Sequence, residues 1–348
     1  MSSALSENPA ASPVPPAVVD RFGRRLRYLR VSVTDLCNLS CHYCNPVKGC
    51  AQTYAHRLSW DDLDFLVDVA VNRLGVEAIR ITGGEPTVRP GLEDWIAGMR
   101  RHGGLRDVAM TTNGMLLGRL ARSLRTAGLD RVNVSLDTFD AAKFAEVTRG
   151  GALHRCLEGI DAARSLFDRV KVNAVLLRDF NTGELARFVE FSEAKDVEVR
   201  FIELMPIFGE KDYFHRHFIS VEEVKELLAA EGIELESEGS GPAEGNRTGY
   251  GPATTFRVRG SRARLGFISQ MSNTKCLSCN KLRITSDGAL KACLLSPREV
   301  DLGPALDARD AEAVAGVLRD QFLTRAERYD ALEALTDPFT RGMQRIGG

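Results

Sequence analysis

The chain has 348 residues, 44% of them hydrophobic and 27% charged; this is ordinary globular composition with apolar material for about two domains, and it excludes a wholly disordered chain. Basic and acidic residues nearly cancel, 46 against 47 for a net charge of −1, so no global field draws the protein to nucleic acid or an anionic membrane, and a bound polyanion needs a local cluster of Lys and Arg. No apolar run approaches the ~20 residues of a membrane span, and the opening MSSALSENPA lacks the basic start and apolar stretch of a signal peptide, which predicts a cytoplasmic protein.

Residues 1–20 hold four prolines among Ala and Ser and read as a disordered lead-in. From Tyr28 a strand-then-helix rhythm sets in, with strands expected at 27–33, 76–82, 107–112, 131–136, 170–176 and 197–203. The clearest helix runs from Trp60 to Leu74, with Leu63, Leu66, Val67, Ala70, Val71 and Leu74 on one face and Ser59 as N-cap. Six such units imply parallel strands joined by right-handed crossovers. Residues 239–252 form a Gly-rich loop, 254–269 read as a β-hairpin turning near Gly260–Ser261, and the chain is helical again after Cys293. Arg257, Arg259, Arg262 and Arg264 alternate along the hairpin, which suits a solvated edge better than a phosphate rim. The expected organisation is a tail over 1–20, a barrel over 21–235 and a C-terminal domain over 236–348.

The chain contains eight cysteines: Cys37, Cys41, Cys44, Cys50, Cys156, Cys276, Cys279 and Cys293. The cytosol keeps thiols reduced, and two tight triplets point to metal or iron–sulfur ligation, not to disulfides. Cys37-Asn38-Leu39-Ser40-Cys41-His42-Tyr43-Cys44 follows the first strand, at the carboxyl end where parallel barrels carry their chemistry. Structural zinc wants a fourth ligand, which His42 or Cys50 could supply; three cysteines alone leave one iron of a [4Fe–4S] cluster open. Cys276-x2-Cys279-x13-Cys293 repeats the arrangement, with no His downstream of His217 to complete a zinc knuckle. The second strand ends in Thr82-Gly83-Gly84-Glu85-Pro86, either a plain tight turn or a site where backbone approaches a ligand.

C-x3-C-x2-C with an aromatic Tyr43 before the third cysteine resembles the signature of the radical S-adenosylmethionine (SAM) superfamily, and Gly83-Gly84-Glu85-Pro86 is similar to its SAM-amino-group element. From Arg21 to Gly348 the chain resembles the molybdenum-cofactor GTP 3′,8-cyclase family. The matching stretches are Tyr28-Leu29-Arg30, Ile79 to Pro86, Thr111-Thr112-Asn113-Gly114, Asn133 to Asp137, Val170 to Asn173, Phe201 to Met205, Leu282 to Thr285 and the final Gly347-Gly348.

That resemblance implies an α/β fold, an incomplete (β/α)6 TIM-type barrel with a C-terminal α+β cluster-binding domain. Cys37, Cys41 and Cys44 would ligate the SAM cluster, with Tyr43, Gly84, Ser135 and Met205 lining the SAM pocket. Cys276, Cys279 and Cys293 would hold an auxiliary [4Fe–4S] cluster whose open iron takes the guanine of GTP. Arg30, Arg80, Thr111, Lys171, Lys281, Leu282 and Arg283 would contact GTP, a triphosphate being suited to bidentate Arg. The implied reaction uses a SAM-derived 5′-deoxyadenosyl radical to remove H3′ of GTP; the sugar radical attacks guanine C8. The product is (8S)-3′,8-cyclo-7,8-dihydroguanosine 5′-triphosphate, the first step of molybdopterin biosynthesis. The implied partners are GTP, an external electron donor, a downstream cyclic pyranopterin monophosphate synthase and a second copy in a homodimer, with no nucleic acid or membrane. The family threads its Gly-Gly end toward the active site, and Met343 to Ile346 would anchor it.

Three positions depart from the family pattern. Lys281 stands where the family reads Arg, turning a forked contact into a point charge. The loop Asn45 to Cys50 differs, with Cys50 an added thiol that reads as a bystander. Cys156 reads as a small core residue. The rival readings are a related radical SAM nucleotide cyclase or a peptide-modifying enzyme with an auxiliary cluster, and a zinc-stabilised binding protein.

Overall fold

The computed structural model describes residues 15, 17–44, 58–206, 211–237, 251–273, 275–329 and 343–346. Six parallel strands follow one another in spatial order: β1 (Tyr28–Ser32), β2 (Ala78–Thr82), β3 (Asp107–Thr112), β4 (Arg131–Ser135), β5 (Val170–Leu176) and β6 (Glu198–Glu203). All six lie where the apolar runs place them. Between them stand α1 (Trp60–Leu74), α2 (Leu92–Met99), α3 (Leu117–Thr126), α4 (Ala141–Thr148), α5 (Leu153–Arg164) and α6 (Leu185–Lys195). Helix α1 starts at Ser59 because Ser59 and Asp62 cap each other: Asp62 N donates to Ser59 Oγ at 3.1 Å, and Ser59 N donates to the Asp62 carboxylate at 2.8 Å.

The strands are buried on both faces, and along most of them apolar and polar residues alternate. Leu29, Val31, Ile79, Ile81, Val108, Met110, Val132, Val134, Val172, Ala174, Val199 and Phe201 face the helices within one continuous core that includes Leu63, Leu66, Val67 and Leu74 of α1. Each fully buried side chain of this size contributes roughly 1.5–3 kcal/mol. The alternate residues, Arg30, Arg80, Asn133, Asn173 and Arg200 among them, face a polar lumen. Parallel sheets covered by helices on both sides are apolar on both faces; here the second face is kept polar for a purpose.

The C-terminal third completes this sheet. After α7 (Lys211–His217) and α8 (Val221–Ala230) come β7 (Leu235–Ser237), β8 (Thr254–Val258) and β9 (Arg264–Ile268), then β10 (Lys281–Ile284), β11 (Ala289–Lys291), β12 (Val300–Asp301), α9 (Gly303–Asp307), α10 (Ala311–Leu323) and α11 (Met343–Ile346). The hairpin β8–β9 forms as expected, and β9 also pairs in parallel with β6. At the other edge β10 pairs in parallel with β1, Tyr28 opposite Lys281 and Arg30 opposite Arg283. The expected boundary at 235/236 therefore falls within β7, and the described residues on both sides of it share one twelve-stranded sheet, an open barrel extended at both edges.

Two further expectations are refined. The lead-in does not reach residue 20: Val18 and Asp20 are buried, and Asp20 binds Arg24. The chain past Cys293 carries the short β12 before its helices. Cys156 is fully buried, its thiol 3.6 Å from the Ser135 carbonyl. Cys50 and Gly347-Gly348 lie outside the described residues. No helix among the described residues is long and apolar enough to cross a membrane.

Candidate active site

Both cysteine triplets open on one cavity that runs through the barrel, the first at the carboxyl end of β1 and the second at the amino end of β10, where Lys281 pairs with Tyr28. Cys37, Cys41 and Cys44 line it from the loop after β1, and Cys276, Cys279 and Cys293 from the segments around β10 and β11; all six thiols are half-buried. Among the described residues no three His, Cys, Asp or Glu side chains close round a single metal ion. The spread thiol sets suit a multi-iron cluster, whose ligands bind separate iron atoms.

The first loop is tied down on both sides. Ser40 N donates to Thr148 O at 3.1 Å and His42 N to Val147 O at 3.0 Å, fastening it to the end of α4. Tyr43 Oη donates to Asp137 Oδ2 at 2.6 Å, and Val175 N donates to Asp137 Oδ1 at 2.8 Å. Burial pushes the Asp137 carboxyl up to about 6, and burial together with that carboxylate keeps the Tyr43 phenol protonated.

Gly83 and Gly84 have a reason that the sequence did not disclose. Gly84 N donates to Thr34 O and Glu85 N to Leu36 O, both at 2.7 Å. A Cβ on Gly84 would lie 2.2 Å from the Leu36 carbonyl oxygen, and one on Gly83 2.4 Å from that of Thr34. The glycines first make room for the backbone leading into Cys37 and only then for a ligand. Glu85, fully buried, accepts from Thr112 Oγ1 at 2.7 Å and Asn113 N at 2.6 Å, locking the ends of β2 and β3 together.

Cations crowd the lumen floor. Arg80 Nε donates to Tyr28 Oη, and Arg80 Nη1 lies 3.5 Å from Thr111 Oγ1. Arg30, Arg80, Arg283 and Lys281 are all held below their ordinary values, foremost by desolvation; the neighbouring Arg283 adds to the effect on Arg30. Burial would raise the Tyr28 phenol, but Arg80, Arg30 and Arg131 hold it below its ordinary value. Such a set is costly in isolation and is relieved by a polyanion.

The structure brings Tyr43, Gly84, Ser135, Met205, Arg30, Arg80, Thr111, Lys281 and Arg283 to the cavity wall. Two expected contacts are absent from that wall. Leu282 is fully buried in the outer core, because it sits between the two inward residues of β10. Lys171 is buried at the lumen floor, where its Nζ lies 2.8 Å from Glu198 Oε2. Glu198 also accepts from Arg200 Nε, and it is Arg200 that reaches the cavity. Burial and Arg200 push Lys171 down to about 7; Glu198 sits at about 2 despite its burial, because Arg200 and Lys171 flank it.

Sequence reasoning passed over Arg200, Asn133, Asn173 and Tyr28, whose signal is a polar residue at every second position of a buried strand. The side-chain Oδ1 atoms of Asn133 and Asn173 are buried without partners among the described residues, so the wall offers acceptors to the amino and hydroxyl groups of a nucleoside. Burial would raise the Cys279 thiol, but Lys281, Arg325 and Arg283 hold it below its ordinary value, a favourable setting for a thiolate ligand. The thiol sets and these orphaned acceptors fit two clusters and SAM. On the hairpin, Arg259 pairs with Glu234 and Glu236, and Arg264 with Asp196, a solvated edge as expected.

Comparison with known proteins matches the Radical SAM superfamily over residues 31–192 and the Molybdenum Cofactor Synthesis C family over 197–331. A GTP 3′,8-cyclase of Thermodesulfovibrio yellowstonii is 41% identical over 335 residues, covering 94% of this chain and 99% of its own. Those of Alkaliphilus oremlandii and Geobacter sulfurreducens are each 39% identical, covering 94% and 95% of this chain and 99% of their own. Among solved structures, SuiB of Streptococcus suis bound to S-adenosylmethionine shares the fold at TM-score 0.53 and 14% identity, over 86% of this chain and 67% of its own.

Proposed function

The chain belongs to the GTP 3′,8-cyclase family of radical SAM enzymes, and we propose that its barrel lumen holds SAM and GTP together between two [4Fe–4S] clusters. The observation that carries this reading is the convergence of both cysteine triplets and the cations Arg30, Arg80, Arg200, Lys281 and Arg283 on one cavity. The enzyme acts at the first step of molybdenum-cofactor biosynthesis, converting GTP into (8S)-3′,8-cyclo-7,8-dihydroguanosine 5′-triphosphate. When bound, the clusters and SAM supply the one-electron chemistry that removes H3′ of GTP and lets C3′ bond to guanine C8.

The protein's own work is placement. Cys37, Cys41 and Cys44 hold the SAM cluster, leaving one iron open. Tyr43, fixed by Asp137, sets the loop, while Gly84, Ser135, Met205 and the Asn133 and Asn173 side-chain amides face SAM. Cys276, Cys279 and Cys293 would hold the second cluster on the guanine side of the site. Arg30, Arg80, Lys281, Arg283 and Arg200 meet the triphosphate, helped by the Thr111 hydroxyl. Lys171 acts one step behind, drawing Glu198 away from Arg200 so that the guanidinium is available to phosphate. Leu282 spaces its two neighbours on β10.

Met205, Met271, Leu295, Tyr329 and Met343 form an apolar cluster beside Cys293. It closes the mouth against water and stray hydrogen donors. The segment 21–235 carries the SAM side and 236–348 the second cluster. The same reading implies an external electron donor, a downstream cyclic pyranopterin monophosphate synthase and a homodimer.

The test is anaerobic reconstitution with iron and sulfide, incubation with SAM, GTP and reductant, and mass spectrometry of the products. The cyclised triphosphate and 5′-deoxyadenosine are expected together. Cys37→Ser should abolish SAM cleavage, and Cys293→Ser should keep uncoupled cleavage while losing the cyclised product. Fully loaded protein that cleaves SAM but leaves GTP unaltered would overturn the substrate assignment.

A further inference from the structure

Beside the second triplet, outside the cavity lining, lies a buried charge network that the reading above does not use. Arg325 Nη1 donates to Cys279 Sγ at 3.5 Å and to Lys281 O at 3.1 Å, and Nη2 donates to Cys279 O at 2.8 Å. Its side chain is 2% exposed and its guanidinium lies 3.9 Å from the centre of the Phe322 ring. Asp20, fully buried, stands 3.8 Å from Arg325 and accepts from Arg24 Nε at 2.5 Å. Arg24 in turn donates to Cys276 O and Glu327 O, each at 3.3 Å, and to Arg325 O at 3.4 Å. One turn near the N-terminus and one segment past α10 are thus fastened together on the loop that carries Cys276 and Cys279.

Among the described residues the charges do not balance. Two guanidinium groups face one carboxylate, leaving one buried positive charge beside a thiol, and an uncompensated buried charge is expensive. Three thiolates on a cluster core of charge +2 supply the missing negative charge, and one more when the cluster is reduced. Resting on the assignment of Cys276, Cys279 and Cys293 as cluster ligands, we infer that Arg325 is a positioning residue for the auxiliary cluster. Held by Asp20 and Arg24, it donates to the Cys279 sulfur and raises the cluster's reduction potential. Hydrogen bonds to ligand sulfurs and nearby charge are the levers by which a protein sets such potentials. Each sign follows from electrostatics. Removing the Arg325 charge makes the reduced cluster harder to reach, whereas removing the Asp20 charge makes it easier.

The experiment is a redox titration monitored by electron paramagnetic resonance on the full chain carrying Cys37→Ser, Cys41→Ser and Cys44→Ser, so that only the second cluster reports. In that background Arg325→Met should shift the reduction equilibrium at least tenfold toward the oxidised form, about 59 mV or more for one electron. Arg325→Lys, which keeps charge but not the fork, should fall between. Asp20→Asn retains the Oδ1 that accepts from Phe22 N and Arg24 N and should move the potential upward. A purely structural tie would not give shifts of opposite sign. An unchanged potential in cluster-loaded Arg325→Met overturns the inference. Should that variant lose its cluster, Asp20→Asn decides: a rise supports the inference, and no change or a fall overturns it. Absence of any cluster in the triple-serine background refutes the ligand assignment itself, and the role of Arg325 with it.

Discussion

Lys171, Glu198 and Arg200 share the lumen floor as two cations on one carboxylate, and the position of a single proton changes what they offer to phosphate. With Lys171 charged, Glu198 is satisfied from two sides and Arg200 is free to turn one edge to the cavity. With Lys171 neutral, the Glu198 charge falls to Arg200 alone. Desolvation and Arg200 bring Lys171 down to about 7, so the change falls in the working pH range. GTP affinity should therefore be high below pH 7 and fall as pH rises through it. Lys171→Arg, which stays charged, should remove that component, and Lys171→Gln should show the weak limit at every pH, about ten- to a hundred-fold lower for one lost charge-assisted contact. Equilibrium binding between pH 6 and 8.5, each variant compared with wild type so that titration of the phosphate cancels, checks it. A profile for Lys171→Gln parallel to wild type would remove Lys171 from the phosphate site.

At the scale of elements, the turn after β2 and the loop after β1 form one unit, joined by two backbone hydrogen bonds and by the absence of a Cβ at Gly84. Gly84→Ala places a methyl against the Leu36 carbonyl, where neither backbone can yield without moving Cys37. The expected result is a destabilisation of about 1–3 kcal/mol from overpacking and loss of the SAM-side cluster. Iron content should fall by half with the auxiliary cluster's spectrum intact; full iron loading in Gly84→Ala would show that the loop tolerates the shift. The strands and α1 were legible in the sequence because their signals are local: an apolar period, and Ser59 three residues before Asp62. The reason for Gly84 was not, since the atom that excludes a side chain belongs to residue 36. The pairing of Lys171 with Glu198 was not legible for the same kind of reason, since only the register of β6 against β5 brings the two opposite each other. Alternation along β10 turns the Leu282 side chain to the face opposite Lys281 and Arg283.

For the molecule as a whole, the sheet joins the chain on either side of the Gly-rich stretch. Composition changes sharply near residue 239, as a linker would, yet the chain beyond it returns to both open edges of the barrel, β9 against β6 and β10 against β1. Pairings over such sequence separations leave no local trace, so the fold class was readable and the closure was not. The consequence is physical. Without residues 236–348, β1 and β6 would each present a free row of backbone donors and acceptors, a ready template for aggregation. Leu282, Ile284, Leu265 and Phe267 would also be lost from the core. Residues 1–235 expressed alone should therefore be aggregated or fail to hold a cluster at Cys37, Cys41 and Cys44, even though all three ligands are present. Co-expression with 236–348 should restore soluble, iron-loaded protein, because the two pieces meet along two strand ladders and not through a single tether. Gel filtration with iron analysis reads both outcomes. A monodisperse, cluster-bearing 1–235 would mean that the barrel closes its own edges, and that the C-terminal strands are an addition to a finished domain.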